Sequence, residues 1–237
     1  MSAARPRTAM ILAAGFGTRM RPLTDRLPKP LVPLAGRTLL DRALDLAEAA
    51  GATRAVVNLH YRGAQIRAHL ADRTGPEIVF SEEDPILETG GGVQAALPHL
   101  GPAPFYTLNP DGLWQGPNPL EGLASAWDGT AAALLLFVAR HRALAHAGPG
   151  DFHLDRPGGP PRRRDGPVAP YVYTGAQIIA PGAFEGEAEG AFSLNRVWDR
   201  LAAEGRLAAI VYPGDWVDIG TPAGLAAAER GLRSAAP

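Results

Sequence analysis

Short apolar runs alternate with segments of helical periodicity along most of this chain. Ala9, Met10, Ile11 and Leu12 lie in a first strand over residues 8–13. Thr38 is a cap for a helix from Leu39 to Ala50, with Leu39, Ala43, Leu44, Leu46 and Ala47 on its apolar face and Gly51 ending it. Ala55–Leu59 (AVVNL) is a short buried strand, Ala64–Leu70 a short helix and Ile78–Phe80 another strand. The same pattern continues with a helix over Val93–Leu97, a strand over Phe105–Leu108 and a short helix closing at Ala124–Trp127. The unbroken apolar run Ala131–Val138 (AAALLLFV) reads as a central strand, because no polar face is left for solvent. Tyr171–Ile179 is a strand interrupted by Thr174-Gly175, where a glycine marks a bulge or a close approach. A helix follows from Ser193 to about Glu204, then a strand over Leu207–Val211, a presumed strand carrying Asp218 and a last helix from Ala223 to about Leu232. Alternation of this kind predicts an α/β fold with a doubly wound, mostly parallel central sheet, built as one domain. In such sheets the ligand crevice lies outside the carboxyl ends of the strands.

Composition narrows the function. The chain has 237 residues, 23 basic and 24 acidic, so it carries no global positive field to hold nucleic acid. It has no cysteine, which removes disulfides, thiolate metal sites and cysteine nucleophiles. No apolar run reaches the roughly 18 residues of a membrane span, and the first residues show no apolar h-region. The expectation is a soluble cytoplasmic protein, a monomer or small homo-oligomer. Gly and Pro concentrate between Arg140 and Pro170, where the element pattern breaks. The run Arg162-Arg163-Arg164 in that segment reads as a solvated turn, with a phosphate or partner patch as the other reading. The six histidines show no metal spacing and read as surface or loop residues.

The chemistry gathers after the strands. Behind the first one come Ala13, Ala14, Gly15, Gly17, Thr18 and Arg19, then Arg21, and Lys29 between Pro28 and Pro30. A turn of small residues lets backbone N–H groups converge on an anion, and the basic residues add charge for a polyphosphate. Taken alone, the turn reads first as a tight βα connection with surface arginines. It is neither GxxxxGK[ST] nor GxGxxG. Glu83 and the run Glu88-Thr89-Gly90-Gly91-Gly92 lead into a helix, either as a plain helix start or as a loop close to a planar or anionic ligand. Asn109-Pro110-Asp111-Gly112 is good turn chemistry, but it also sets a carboxylate at a strand's carboxyl end. Asp218 alternates with apolar neighbours, as an exposed edge residue or a ligand, and Ser193 before Asn195 is a plain N-cap.

The string LAAGFGTRMRPLT followed by PKP resembles the signature of the sugar-1-phosphate nucleotidylyltransferases. The resemblance extends from about Thr8 to Leu232 and is nearest to the short bacterial members of N-acetylmuramate 1-phosphate uridylyltransferase type. Those share the ETGGG loop and the W-V-D-x-G-T ending and lack an E-K-P motif, as this chain does. The resemblance implies transfer of a nucleoside monophosphate from an NTP, with UTP favoured, to a sugar 1-phosphate, with Mg²⁺ as cofactor. It implies nucleotide contacts from Leu12, Ala13, Ala14, Gly15, Gly17, Thr18, Arg19, Glu83, Thr89 and Gly90, and catalytic roles for Arg19 and Lys29. It further implies sugar contacts from Asn109, Thr174, Gly175 and Asn195, and metal ligation by Asp111 and Asp218. The nucleotide part would span about 8–139 and the sugar part about 140–232. Pro110 departs from the family pattern, which has glycine there; proline fixes φ near −65° and removes an N–H. Two other functions fit part of the sequence: a mannose- or heptose-1-phosphate guanylyltransferase, and a non-catalytic nucleotide-sugar-binding regulator. A dehydrogenase of doubly wound fold lacks its glycine fingerprint here. A muramate-type sugar carries a lactyl carboxylate, for which Arg162, Arg163 or Arg164 are candidate partners.

Overall fold

The computed structural model describes residues 4–234. The chain begins β1 (Thr8–Ile11), a small hairpin β2 (Pro33–Leu34) and β3 (Arg37–Thr38), then α1 (Leu39–Ala49), β4 (Arg54–Leu59), α2 (Gly63–Leu70) and β5 (Glu77–Glu82). It continues through α3 (Glu88–Leu100), β6 (Phe105–Leu108), β7 (Gly112–Gln115), α4 (Pro119–Ala126), β8 (Ala133–Ala139), β9 (Ala143–Leu144), β10 (Phe152–His153) and β11 (Arg162–Arg163). It ends with β12 (Tyr171–Ile179), α5 (Leu194–Ala203), β13 (Leu207–Val211), β14 (Asp215–Asp218) and α6 (Pro222–Ser234). Several starts follow from local chemistry. The Thr38 hydroxyl accepts from Asp41 N–H, Asn118 Oδ1 from Leu120 N–H and Ser193 from Asn195 N–H, each capping a helix.

Nine strands form the main sheet. On one side, β6, β1, β4 and β5 lie side by side and all parallel. On the other, β8 and β13 are parallel to each other. Between the two parallel groups runs β12, antiparallel to both β6 and β8, so the sheet is mixed where the alternation predicted a largely parallel one. A long irregular connection feeds β12, and no helix crosses over the sheet to force it parallel. The bulge expected at Thr174-Gly175 is present: pairing with β8 shifts register between Tyr173 and Gln177, and Gly175 has φ +81°.

The sheet is apolar on both faces because its central strands alternate between two cores. Ala9 and Ile11 of β1 and Val57 of β4 face one core with Leu40 and Leu44 of α1, Ile66 of α2 and Leu120 of α4. Met10 and Val56 face the other with Val93 and Ala96 of α3 and Val197 and Leu201 of α5. Helices on both faces make the fold doubly wound. A second, three-stranded sheet packs β14 between β7 and β9, and Val217, Ile219 and Leu113 there cluster with Met20, Val32 and Leu39. That small sheet folds the end of the chain over the opening loop. Strand β7 is absent from the periodicity because it is four residues long and half-buried. Helix α3 starts before its predicted position and takes in Gly90–Gly92, all buried, so packing overrides the poor helix propensity of three glycines.

Candidate active site

The parallel strands β1, β4, β5 and β6 end along one edge, and a cleft of about 300 Å³ opens there. Its floor is the segment after β1: Leu12, Ala13, Ala14, Gly15, Gly17, Thr18 and Arg19. Gly17 adopts φ +61°, and a Cβ on it would come within 2.9 Å of Lys29 Cβ. Glycine is therefore what lets the Pro28-Lys29-Pro30 turn close against the loop. The Lys29 ammonium donates to Asp111 Oδ2, and both residues line the cleft with Pro110. Proline at 110 thus leaves Asp111 facing the cleft.

A buried hydrogen-bond relay stiffens the loop. Ala13 N–H donates to Asn58 Oδ1 at 2.6 Å, Asn58 Nδ2 donates to Glu83 Oε1 at 2.6 Å, and Leu87 N–H donates to Glu83 Oε2 at 2.8 Å. This ties the loop after β1 to β4, to the segment after β5 and to the approach to α3. Glu83 lines the cleft, but it is 3% exposed and both its carboxylate oxygens are engaged. Asn58 also lines the cleft and was missed from sequence, although a single amide in the apolar strand AVVNL was its signal.

The two candidate metal residues come together through strand pairing. Asp218 of β14 stands opposite Gly112 of β7, and Ile219 N–H donates to Asp111 C=O at 2.9 Å. Gly220 lines the cleft beside them; a Cβ there would lie 2.7 Å from Asp218 Oδ1 and 3.0 Å from Arg19 Nη1. Arg19, Lys29 and Asp111 thus line the cleft, while Asp218 does not line it but lies next to Gly220, which does. Burial, the largest influence on the Asp218 carboxyl, pushes it up. The hydrogen bond and charge of His146 and the charges of Lys29 and Arg19 outweigh burial and hold it below the ordinary carboxylate value. His146 Nδ1 lies 3.2 Å from Asp218 Oδ2, so this histidine, in a loop as expected, is also tied to a candidate metal residue. No spacing in the sequence signals it, since 72 residues separate the pair.

Other expected contacts are placed differently. Thr89 lines the cleft, but its hydroxyl accepts from Leu194 N–H. Gly90 does not line the cleft: its N–H donates to Phe192 C=O, and a Cβ on it would meet the Phe192 ring at 2.4 Å. The room left by that glycine is used by Phe192. Asn109 lines the cleft, whereas Gly175 packs behind it, with Asn109 N–H donating to Gly175 C=O. The Thr174 hydroxyl is buried and donates to Leu136 C=O. Asn195 is exposed, and its Oδ1 accepts from Arg163. None of the three arginines expected near a lactyl carboxylate reaches the cleft. Arg162 lies near Asp155 and Asp165, Arg163 pairs with Asp199 over the Phe152 ring, and Arg164 donates to Gly150 and Gly166 carbonyls.

Residues 9–234 match the profile of the MobA-like NTP transferase domain. The chain belongs to this family. It is the nucleotidyltransferase family, with sugar-1-phosphate members, that the opening motif resembles. The chain is 40% identical to the N-acetylmuramate alpha-1-phosphate uridylyltransferase of Caulobacter vibrioides, over 97% of this chain and 98% of that one. It is 36% identical to the protein of the same name from Neisseria meningitidis serogroup B, over 90% and 93%. Among solved structures, a UDP-glucose pyrophosphorylase complexed with UDP-glucose superimposes with a TM-score of 0.82 at 17% identity, covering 97% of this chain and 99% of that one. At that identity the likeness concerns the fold. The mixed sheet with helices on both faces is thus the nucleotidyltransferase architecture, and the cleft lies at its strand ends.

Proposed function

We propose that this protein is a uridylyltransferase that joins UTP and N-acetylmuramate 1-phosphate, releasing pyrophosphate. What carries the reading is a cleft lined by Arg19, Lys29 and Asp111, with Asp218 next to its Gly220 edge, in a chain 40% identical, nearly end to end, to an enzyme of that name. An oxygen of the sugar phosphate forms a bond to the α-phosphorus while the bond to the β-phosphate oxygen breaks. The phosphate monoester is already anionic near neutrality, so no side-chain base is needed. What the protein supplies is alignment and compensation of developing charge.

The loop from Leu12 to Thr18 receives the nucleotide, stiffened by the Asn58–Glu83 relay. Arg19 holds the β- and γ-phosphates that leave together. Lys29, a compact point charge, bridges the α-phosphate and the sugar phosphate. Nucleotidyltransferases of this family generally use a divalent metal. The donor set here suits a hard cation: two partly buried carboxylates, Asp111 in the turn before β7 and Asp218 at the end of β14. Mg²⁺ takes one or two carboxylates and completes its shell with water and phosphate oxygens, so we assign it to Asp111 and Asp218. When bound, Mg²⁺ supplies charge neutralisation at the phosphates. An enzyme drawing on UTP belongs in the cytoplasm, and among the described residues no helix is long and apolar enough to cross a membrane.

Pyrophosphate release tests the reading. The purified protein is supplied with Mg²⁺ and offered UTP with N-acetylmuramate 1-phosphate, or GTP with mannose 1-phosphate, separately and in competition. A preference of at least tenfold for the first pair is expected. Preference for the second discards the sugar and base while leaving nucleotidyl transfer standing, and no release from either pair or from any NTP across a panel of sugar 1-phosphates, heptose 1-phosphate included, makes the protein a binding module.

A further inference from the structure

We infer that His146 is a positioning residue that turns Asp218 so that only one carboxylate oxygen meets the cation; this rests on the metal assignment above. A carboxylate only accepts hydrogen bonds, so the 3.2 Å contact requires the Nδ1–H of His146 to donate to Asp218 Oδ2. The other oxygen, Oδ1, lies on the side of Gly220, which lines the cleft next to Arg19. The carboxylate thereby has a protein partner at one oxygen and the cleft-lining Gly220 beside the other.

The segment carrying His146 is built to deliver it there. Strand β9 pairs in parallel with β14, Ala143 opposite Trp216 and Leu144 opposite Val217, so the segment is registered on the strand that bears Asp218. Arg142 ties it further to the approach to β14 by donating to Pro213 C=O at 2.5 Å. Ala145 then adopts φ +57°, a left-handed conformation that costs a residue with a Cβ on the order of 1 kcal/mol or more. That turn swings His146 off the strand line. The imidazole stops 6.1 Å from the Trp216 ring, and a Cβ at Gly148 would come within 2.3 Å of its Nε2. Glycine at 148 is therefore required for the ring to occupy this place. A strained residue before the histidine, a glycine after it and a β ladder beneath it all serve one side-chain position. The His146 side chain is 20% exposed, too enclosed for a surface residue in an irregular loop.

Hydrogen-bond partners behind a metal ligand fix its orientation, and their loss costs about 10–100-fold in metal affinity. The test is Mn²⁺ binding, read by electron paramagnetic resonance with UTP present, on the wild type and on His146→Ala, His146→Asn and Asp218→Asn. Thermal melts and metal-free UTP binding are run alongside. His146→Ala is expected to weaken Mn²⁺ about tenfold while leaving metal-free UTP binding unchanged. His146→Asn, whose amide sits at the distance of Nδ1, is expected to recover most of the loss. Wild-type Mn²⁺ affinity in His146→Ala, with Asp218→Asn weakened, overturns the role of His146 and leaves the metal assignment intact. Unchanged affinity in Asp218→Asn overturns both. An Asn variant no better than Ala also overturns it, since a donor at that position would then not matter.

Discussion

Lys29 and Asp111 neutralise one another at the mouth of the cleft, and the two residues carry opposite expectations for what each does to phosphate. Removing the ammonium takes away charge that is needed most at the transition state. Lys29→Met is therefore expected to lower kcat by roughly 10²–10³-fold, the scale seen when one preorganised donor is lost. Steady-state kinetics with UTP decide it, and a change confined to KM would return Lys29 to the role of a turn residue between prolines. Asp111→Asn is expected to abolish turnover at ordinary Mg²⁺. Its cost in stability should be modest, because asparagine keeps a side-chain oxygen able to accept from the Lys29 ammonium. Full turnover in that variant ends the metal assignment. Asn58 and Glu83 act differently: both are buried and engaged, so they shape the loop without offering a free group to the ligand.

At the scale of elements, the start of α3 separates packing from ligand contact. Gly90 and Gly91 both donate to Phe192 C=O, which docks α3 onto the approach to α5. Gly90→Ala would push a methyl into the Phe192 ring, an overpacking that costs about 1–3 kcal/mol. A lowered melting temperature with UTP affinity retained, after correction for unfolded protein, is the expected result; an affinity loss at unchanged stability would restore the nucleotide contact read from the sequence. The clasp between α1 and α2 gives a pH signature. Burial pushes the Asp41 carboxyl up, but hydrogen bonds from Thr38 and His69 and the charges of His69 and Arg73 outweigh it, so its pKa lies below 3.8 in the folded chain. A depressed carboxyl contributes stability that is present above its unfolded value and is lost as pH falls through its folded one. Asp41→Asn is expected to shrink the acid limb of stability below about pH 4, as measured by urea denaturation at pH 7 and pH 3; an equal pH 7-to-3 drop in both proteins would exclude Asp41 as its source.

Across the whole molecule, the cleft depends on distant parts of the chain meeting. The opening loop, β4, β6 and the β14 turn all contribute, and α6 and the small sheet hold the last of these over the first. Ligand that binds only this assembled state stabilises all of it. At about 100 times its dissociation constant, Mg²⁺–UTP should add about 2.7 kcal/mol. For a chain of this length that corresponds to a rise of roughly 5–10 °C in melting temperature. Calorimetry with UTP and GTP in parallel reads base preference independently of turnover, and an equal rise with both would remove the case for uridine.

Sequence alone was enough for whatever depends on neighbours along the chain. Apolar runs marked the strands, Thr38 and Ser193 marked helix starts, Thr174-Gly175 marked the bulge, and the GTR…PKP spacing marked the cleft floor. These are local because backbone conformation, capping and turn chemistry act over a few residues. The reversed direction of β12, the β7–β14 pairing that joins Asp111 to Asp218, the Asn58–Glu83 relay and the arrival of His146 at Asp218 were decided only in three dimensions. Each depends on a contact between residues far apart in sequence, and a side chain's type does not say which distant group it will meet. The same holds for Gly90: its missing side chain is visible in the sequence, but whether a ligand or Phe192 fills the space was settled by how the helices pack.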